Sequence, residues 1–305
     1  MSRLYTFDDL LSREVLDAGH EKPARLAVIG HPVAHSSSPG MHQPALDALG
    51  IDARYIKVDV PPEHVAEAFS RMKALEFIGC NVTVPHKFEA LAACNHVHPG
   101  ARSLGAVNTV RFDSDGLHGF NTDGPGFVRA ISESFESVLS TFRVMIIGAG
   151  GGAGQALATQ CAIQGVPNLV LVNRSFEKLG PLVERLHALG PSTTVTALTF
   201  EDATLELHCS TSDLIVNTTS VGLKAGDSSP LPEEFLRAGL CVYDTIYQPP
   251  VTPLLAAANR AGCKTANGLS LLLHQGVLAF QHWFPLTDPQ PYMREALIQS
   301  IGLIR

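Results

Sequence analysis

A glycine-rich turn at residues 143–154, R-V-M-I-I-G-A-G-G-G-A-G, constrains the fold of this chain more than any other feature. The run before the glycines, residues 144–147, is wholly apolar and mostly β-branched, which is typical of a strand buried on both faces of a parallel sheet. Residues 155–158 then favour a helix. Strand, glycine turn and helix in this order predict a dinucleotide-binding turn.

Three small residues in the turn have separate expected tasks. Gly148 permits the tight turn, Gly150 lets the backbone approach a pyrophosphate, and Ala153 is expected where the helix packs closely on the strand. The N–H groups that begin the helix are expected to hold the phosphates. The alternative interpretation is a loose loop with surplus glycines.

The end of the next strand decides between NAD and NADP. Residues 168–172 are followed by Asn173, Arg174 and Ser175. An NAD site usually places a carboxylate here to bind the ribose hydroxyls, and this chain has none. Arg174 and, one helical turn later, Lys178 offer cations for a 2′-phosphate, so we expect NADP. A solvated helix start with Ser175 as N-cap is the alternative, and it is compatible with phosphate binding.

Composition limits the class of partner. A formal net charge of −7 over 305 residues argues against nucleic acid and against an anionic membrane surface. No apolar run is long enough for a membrane span, and the first 20 residues carry too much charge for a signal peptide. The six scattered cysteines are typical of reduced thiols in a cytoplasmic enzyme. We expect a small-molecule substrate, with monomer or homodimer left open.

Strand-like and helix-like segments alternate in two series, which predicts two parallel, layered α/β domains. Residues 1–24 precede the first series and are expected to contain a helix over residues 6–16, with Thr6 as N-cap and Asp9 in the capping-box position. The first series has strands at 25–30, 55–60, 79–84 and 106–112 and helices at 39–49 and 61–76. The second has a helix at 124–135, strands at 144–147, 169–172, 194–198, 214–217 and 241–246, and helices after Gly268 and at 291–301.

Four polar clusters of the first series follow its strands, where α/β domains place their chemistry. They are H-S-S-S-P from His35, N-V-T-V-P-H-K from Asn81, G-A-V-N-T from Gly105 and N-T-D-G from Asn121. Each alone is typical of a helix cap, a turn or a solvated charge. Together they predict one cleft that binds a ring with several hydroxyls.

Lys87 and Asp123 are the only pair of opposite charges in these four clusters. Beside a dinucleotide domain, they suggest hydride exchange at a carbonyl or secondary alcohol. A lysine ammonium can protonate the developing alkoxide, and Asp123 would hold Lys87 charged and aimed. His86 is an alternative proton carrier, although a packing histidine is the simpler interpretation. No histidine group has the spacing of a metal site, so no metal is expected.

The motifs together resemble the shikimate dehydrogenase family from about residue 26 to residue 301. The matching runs are H-S-S-S-P, N-V-T-V-P-H-K, G-A-V-N-T-V, N-T-D-G, G-A-G-G-G-A, N-R-S, N-T-T-S-V-G, Y-D-T-I-Y-Q and N-G-L-S-L-L-L-H-Q-G. The resemblance implies an α/β substrate-binding domain, residues 25–122 plus 268–305, a Rossmann-like NADP-binding domain, residues 123–267, and a cleft between them. It also implies reversible NADPH-dependent reduction of 3-dehydroshikimate to shikimate in aromatic amino-acid biosynthesis.

The resemblance also implies a role for each matching residue. Lys87 and Asp123 correspond to the catalytic pair. By the same resemblance, the residues that bind the substrate carboxylate are Ser36, Ser38 and Tyr247, and those that bind the ring hydroxyls are Asn81, Thr83, Asn108 and Gln275. The residues that bind the cofactor are Gly148, Ala149, Gly150, Gly151, Gly152, Ala153, Asn173, Arg174, Ser175, Lys178, Thr218, Gly268 and Leu271.

Two alternatives remain open from the sequence. One is a quinate/shikimate dehydrogenase that uses NAD, although Ser38 favours shikimate. The other is a non-catalytic relative that binds a metabolite or a nucleotide. Such a relative is expected to lack Lys87 or Asp123, and this chain has both.

Overall fold

The first of two units is organised around a seven-stranded sheet. A computed structural model describes residues 3–300. Unit 1 runs to Thr122 and resumes at Leu273, and unit 2 is Asp123–Leu272. The strands of unit 1 are β1 (Leu4–Thr6), β2 (Ala24–Gly30), β3 (Arg54–Asp59), β4 (Gly79–Val82), β5 (His96–Val97), β6 (Thr109–Asp113) and β7 (Gly116–Phe120), in the spatial order β1-β3-β2-β4-β6-β7-β5.

The expectation that this sheet is parallel throughout is wrong for two pairings. Strand β6 runs antiparallel to both β4 and β7. Only residues 114–115 separate β6 from β7, and so short a connection makes a hairpin, whose strands are antiparallel. The helices of this part of the chain are α1 (Arg13–Asp17), α2 (Ser38–Ala48), α3 (Val65–Ala74), α4 (Lys87–Ala93) and α5 (Pro99–Leu104).

The N-terminal segment differs from the single helix predicted over residues 6–16. Strand β1 pairs in parallel with β3, and a 3-10 turn at Phe7–Leu11 follows before α1. The predicted capping box is confirmed, since the Asp9 carboxylate accepts the Thr6 N–H at 2.7 Å. Alternating burial at Leu4–Thr6 is the period-two pattern of a strand, and Tyr5 is buried in the core of unit 1.

Unit 2 has a six-stranded sheet that is parallel throughout. Its elements are α6 (Asp123–Phe135), β8 (Arg143–Ile147), α7 (Gly152–Ile163), β9 (Asn168–Val172), α8 (Gly180–Leu189), β10 (Thr194–Leu198), α9 (Leu205–Thr211), β11 (Leu214–Asn217), β12 (Cys241–Asp244), α10 (Pro253–Arg260) and β13 (Lys264–Asn267). The spatial order β10-β9-β8-β11-β12-β13 is the order 3-2-1-4-5-6 of a doubly wound dinucleotide-binding fold.

Strand β8 is covered on both faces, as its sequence predicts. Val144 and Ile146 belong to one hydrophobic core, and Met145 and Ile147 belong to another. Successive side chains of a strand point to opposite faces, so the two cores lie on the two sides of this sheet. The strands predicted at 194–198 and 214–217 are confirmed with the same bounds.

Two helices end the chain. Helix α11 (Leu269–Trp283) is the predicted long apolar helix, and the Trp283 indole N–H donates to the Val110 carbonyl at 3.0 Å. Helix α12 (Gln290–Ser300) packs against α2. Residue 301, the predicted end of the last helix, lies outside the described residues.

His42 of α2 is buried between aromatic rings in unit 1. Its imidazole stacks on the Tyr55 ring with centroids 4.5 Å apart and lies 5.6 Å from the Trp283 ring. Neither ring nitrogen has a hydrogen-bond partner among the described residues. Burial therefore lowers the pKa of His42 to about 3, and the folded chain holds this imidazole neutral.

This burial predicts an acid-dependent loss of stability. The unfolded chain binds a proton at His42 below its usual pKa of about 6.5, whereas the folded chain does not until about pH 3. His42 alone should therefore cost unit 1 about 1.4 kcal/mol at pH 5.5 relative to neutral pH. Urea unfolding at pH 7.5 and 5.5, followed by fluorescence of the single tryptophan, should show this extra loss in the wild type and not in His42→Gln. Equal losses in both proteins would contradict the assignment.

Candidate functional site

Asn81, in β4, lies at the centre of a buried hydrogen-bond network. Its Oδ1 accepts the Tyr55 hydroxyl at 2.6 Å, and its Nδ2 donates to Thr109 Oγ1 at 3.1 Å. Thr109 donates in turn to Asn108 Oδ1 at 3.1 Å. Asn108 Nδ2 donates to Thr122 Oγ1 at 3.0 Å, and its Oδ1 accepts the Thr122 N–H at 2.8 Å. All five side chains belong to unit 1, and the network ends at its last residue before Asp123.

Tyr55 connects this network to the start of α2. Its side chain is buried, and Ser38 lies close to its hydroxyl. Ser36 Oγ donates to Ser38 Oγ at 3.2 Å. Burial raises the pKa of Tyr55, so the phenol stays protonated and donates. The predicted residues Ser36 and Ser38 therefore lie beside the network that contains the predicted residues Asn81 and Asn108.

Lys87 is the first residue of α4 and is half-buried. Its carbonyl accepts the Val107 N–H at 3.0 Å, next to Asn108 in the chain. The turn that leads into α4 is fixed as well: the His86 N–H donates to the Thr83 carbonyl at 3.0 Å, and the Thr83 N–H donates to the Ile29 carbonyl at 2.9 Å. Backbone contacts therefore place Thr83 and Lys87 at the ends of the same strands that carry the network.

His86 is a packing residue, which was the simpler of the two interpretations of its sequence position. It is fully buried, and its Nε2–H donates to the Val60 carbonyl at 2.7 Å. Burial lowers the pKa of His86, which favours the neutral ring. A neutral imidazole that is held on a backbone carbonyl is poorly placed to carry a proton for Lys87.

Gln275 lies on α11 in unit 1, beside a close contact between helices. A Cβ on the next residue, Gly276, would overlap the Met41 side chain, so glycine lets α11 approach α2 here. Tyr247 and Asp123, in contrast, belong to unit 2. Asp123 begins α6, and Tyr247 follows the end of β12 by three residues.

The strand ends of unit 2 line a surface cavity of about 620 Å³. Eight of the predicted cofactor residues contribute to its wall: Gly148, Gly150, Gly151, Asn173, Arg174, Ser175, Lys178 and Thr218. The cavity lies where β8, β9 and β11 end, which is where the strand order reverses and where open α/β sheets bind nucleotides.

The close packing expected at Ala153 is found one residue later. Ala153 is exposed, whereas Gly154 is buried and a Cβ there would overlap the carbonyl oxygen of Gly148. The helix therefore approaches the strand at Gly154, and the packing role predicted for Ala153 is wrong. Gly148 has φ +83°, which confirms that the tight turn requires glycine. Gly150 approaches Asn173, because a Cβ would lie 2.6 Å from the Asn173 amide.

Arg174 and Lys178 are exposed cations at the cavity wall. Neither side chain forms a hydrogen bond or an ion pair with any residue of the 3–300 range. Asn173 fixes the loop that carries Arg174: its Oδ1 accepts the Gly150 N–H at 3.2 Å, and its Nδ2 donates to the Ser175 carbonyl at 2.9 Å. The arrangement places two cations near the start of α7, where they can bind an anionic group.

Gly268 and Leu271 lie against the end of β12, and Ala149 is fully buried beneath the turn. A Cβ at Gly268 would overlap the Thr245 carbonyl, and the Leu271 N–H donates to the Tyr243 hydroxyl at 3.2 Å. These residues, together with Gly152 and Ala153, do not line the 620 Å³ cavity.

Several residues of both sites were not predicted from the sequence. Phe200, Glu201, Thr219, Ser220, Val221 and Pro230 also line the cavity of unit 2. Phe200 and Glu201 follow β10, so extending the strand-end argument to that strand would have found them. Tyr55 was missed because a tyrosine inside an apolar strand is typical of core packing.

Comparisons with known proteins agree with this geometry. The model of the shikimate dehydrogenase substrate binding domain matches residues 28–110. A Moorella thermoacetica protein named shikimate dehydrogenase (NADP(+)) is 40% identical over 279 residues, which are 91% of this chain and 93% of that protein. The crystal structure of shikimate 5-dehydrogenase from Thermus thermophilus in complex with NADP(H) and shikimate is 35% identical, has a TM-score of 0.79 and matches over 91% of this chain and 99% of that chain.

A solved structure with another printed activity is also similar. The ligand-free form of 5-ketofructose reductase of Gluconobacter sp. strain CHM43 is 30% identical, with a TM-score of 0.83, over 92% of this chain and 99% of that chain. The fold is therefore shared by proteins whose names specify different substrates. No described helix of this chain is long and apolar enough to cross a membrane.

Two α/β units, one with the strand order and glycine turn of a Rossmann fold, define a dinucleotide-binding enzyme of the dehydrogenase class. The predicted fold class is thereby confirmed. The identity and coverage of the relatives decide the family: the chain belongs to the shikimate dehydrogenase family.

Proposed function

We propose that this chain catalyses the reversible NADP-dependent reduction of 3-dehydroshikimate to shikimate. The observation that carries the proposal is the network from Tyr55 through Asn81 and Asn108 to Thr122, with Ser38 close to the Tyr55 hydroxyl. A small number of oriented hydroxyl and amide groups is what a ring with several hydroxyls and a carboxylate requires for recognition. Membership of the family supports the same assignment.

In this proposal the substrate lies on the part of the chain formed by residues 25–122 and 268–305. Ser36 and Ser38 bind the carboxylate with Tyr247, and Thr83 and Gln275 join the two asparagines in binding the ring hydroxyls. The hydrogen bonds that the asparagines already make fix their amide orientations. Orientation fixed before binding reduces the entropy cost of holding the substrate.

Residues 123–267, with Gly268 and Leu271, hold the cofactor in this proposal. The N–H groups at the start of α7 bind the pyrophosphate, and Arg174 and Lys178 bind the 2′-phosphate. Thr218, whose hydroxyl donates to the Ile147 carbonyl at 2.7 Å, is placed beside the nicotinamide ribose, and Leu271 beside the ring. The free thiols of the described cysteines are consistent with a cytoplasmic enzyme.

Lys87 is the proposed acid of the reaction. NADPH, when bound, supplies the hydride that reduces the ketone carbon. The ketone oxygen gains negative charge as the hydride arrives, and the Lys87 ammonium stabilises that charge and transfers a proton to it. Lys87 then regains a proton from solvent. Asp123 is the proposed positioning residue, whose role is to direct the Lys87 ammonium at the oxygen. Oxidation of shikimate uses neutral Lys87 as the base.

Lys87→Ala should lower kcat for shikimate oxidation by roughly 10²–10⁴-fold and leave the affinity for NADP unchanged, because only the proton transfer is lost. Lys73→Ala, an exposed lysine of α3 in the same unit, is the matched control and should retain full activity. The assay uses shikimate, with quinate as the comparison substrate. A Lys87→Ala protein with near-normal turnover would remove this residue from the mechanism.

Arg174→Ala should raise KM for NADP by about tenfold or more, since a charge-assisted hydrogen bond contributes about 1.5–3 kcal/mol. KM for NAD, which lacks the 2′-phosphate, should change little. Wild type and Arg102→Ala, a variant of an exposed arginine in α5, serve as controls with both cofactors. Equal increases for NADP and NAD would show that Arg174 does not bind the 2′-phosphate.

Tyr55→Phe should raise KM for shikimate by roughly 5–150-fold and change kcat much less. The substitution removes the donor to Asn81 Oδ1 and leaves a buried acceptor without a partner, at a cost of about 1–3 kcal/mol. Tyr5→Phe is the matched control: it removes another buried phenol of unit 1, which donates to the Leu16 carbonyl at 2.9 Å. An unchanged KM in Tyr55→Phe, or an equal rise in Tyr5→Phe, would refute the positioning role.

A further inference from the structure

Two histidines and an aspartate meet at the edge of the sheet in unit 1. His96 of β5 and His118 of β7 are register partners in a parallel pairing, and their rings stack with centroids 4.5 Å apart. Asp115, in the turn between β6 and β7, faces both rings. Its carboxylate oxygens lie 2.9 Å from His118 Nε2 and 3.7 Å from His96 Nε2. One ligand atom from each residue lies within 4.8 Å of the others.

We propose that His96, Asp115 and His118 form a binding site for a transition-metal ion with a preference for imidazole, such as Zn²⁺. Sequence spacing predicts no metal, because His96 and His118 are 22 residues apart in the chain and have no ligand spacing of their own. The pairing of β5 with β7 brings these two histidines together, and the sequence alone does not show this.

The geometry is close to that of a three-ligand zinc site. Bonds of about 2.0–2.2 Å in a tetrahedral arrangement require ligand atoms roughly 3.3 Å apart. The distances from the Asp115 carboxylate to the two Nε2 atoms bracket this value, and the ligand atoms of all three residues lie within 4.8 Å of one another, so side-chain rotations can bring them to bonding distance from one ion. The metal replaces the proton between His118 and Asp115, and water or a ligand from solution occupies the fourth position.

The neighbouring charges favour Asp115 over Asp113 as the carboxylate ligand. Asp113 also approaches His118 Nε2, at 3.4 Å, but Arg111 binds Asp113 through two hydrogen bonds, at 3.0 and 2.8 Å. That guanidinium neutralises Asp113. Asp115 has no arginine or lysine partner among the residues that the structure describes, and its side chain is 62% exposed, so a metal ion can reach it from solvent.

A bound ion would link β5, β7 and the turn that precedes β7. Strand β5 has two residues, and it leads through α5 to the loop that carries Asn108. The site lies at the far edge of the sheet from β1 and involves none of the proposed substrate or cofactor residues. Metal binding is therefore expected to raise the stability of unit 1 by mass action.

The test is titration of the full, tag-free chain with ZnCl₂ alone by isothermal calorimetry. Wild type should bind one Zn²⁺ at this site, and His118→Gln and Asp115→Asn should each weaken that binding by more than about tenfold, since even a residue that only hydrogen-bonds to a metal ligand contributes about 10–100-fold. MgCl₂ should give no binding, because Mg²⁺ prefers oxygen ligands.

His64→Gln is the matched control. His64 is a partly exposed histidine of the same unit, and its Nδ1 lies 3.5 Å from one carboxylate, that of Glu67. This variant should bind Zn²⁺ as wild type does. Crystals soaked in ZnCl₂ should show an anomalous peak within bonding distance of the Nε2 atoms of His96 and His118 and of the Asp115 carboxylate. The proposal is overturned if wild type binds no Zn²⁺, if His118→Gln and Asp115→Asn bind as tightly as wild type, or if His64→Gln loses binding to the same extent.

Discussion

A single buried phenol holds the polar part of unit 1 together. The Tyr55 hydroxyl donates to Asn81 and lies close to Ser38, so the start of α2 meets the strand that carries Asn81 at this phenol. A buried polar atom without a partner costs free energy, and each member of this network supplies a partner for the next. The amides are therefore held in one orientation before any ligand arrives. A polar site inside a tightly packed unit can exist only because this network is complete.

In unit 2 the candidate site depends on the backbone. Gly148 lets the turn close, Gly150 lets it approach Asn173, and Gly154 lets α7 pack against the turn that follows β8. The N–H groups at the start of α7 remain available for a ligand. The side chains of Arg174 and Lys178, which have no hydrogen-bond or ion-pair partner among the described residues, lie at the same cavity. In both units the functional groups lie where strands end, since that is where a parallel sheet leaves its loops open to ligands.

Strand type and position could be predicted best where the chain buried both faces of a strand. Strand β11 has its predicted bounds and β8 differs by one residue, because continuous apolar runs flanked by polar residues have few interpretations. Strand β10, which is only partly buried at the sheet edge, also has its predicted bounds. Strands β1, β5, β7 and β13 were missed. They are short, lie at or near sheet edges, or carry glycine and polar residues, so their local pattern is weak and only pairing makes them strands.

The sequence predicted those residues of the candidate site that are polar and follow the ends of strands. Sequence spacing could not reveal that Tyr55 donates to Asn81, or that Ala153 is exposed while Gly154 packs against the turn, because both depend on which atoms meet in three dimensions. The same limit applies to His96 and His118, which become neighbours only through strand pairing. Motifs indicate which residues take part, and tertiary contacts decide how they are held.

The most direct test of this account is a double-mutant cycle on shikimate affinity between Ser38→Ala and Asn81→Ala, measured by calorimetry with Tyr55 present and again with phenylalanine at that position. The two substitutions should be coupled by more than about 0.5 kcal/mol when Tyr55 is present, and that coupling should fall within the additive range of about 0.3–0.5 kcal/mol when its hydroxyl is absent. Additive effects in the presence of Tyr55 would contradict the claim that one hydroxyl unites the binding groups.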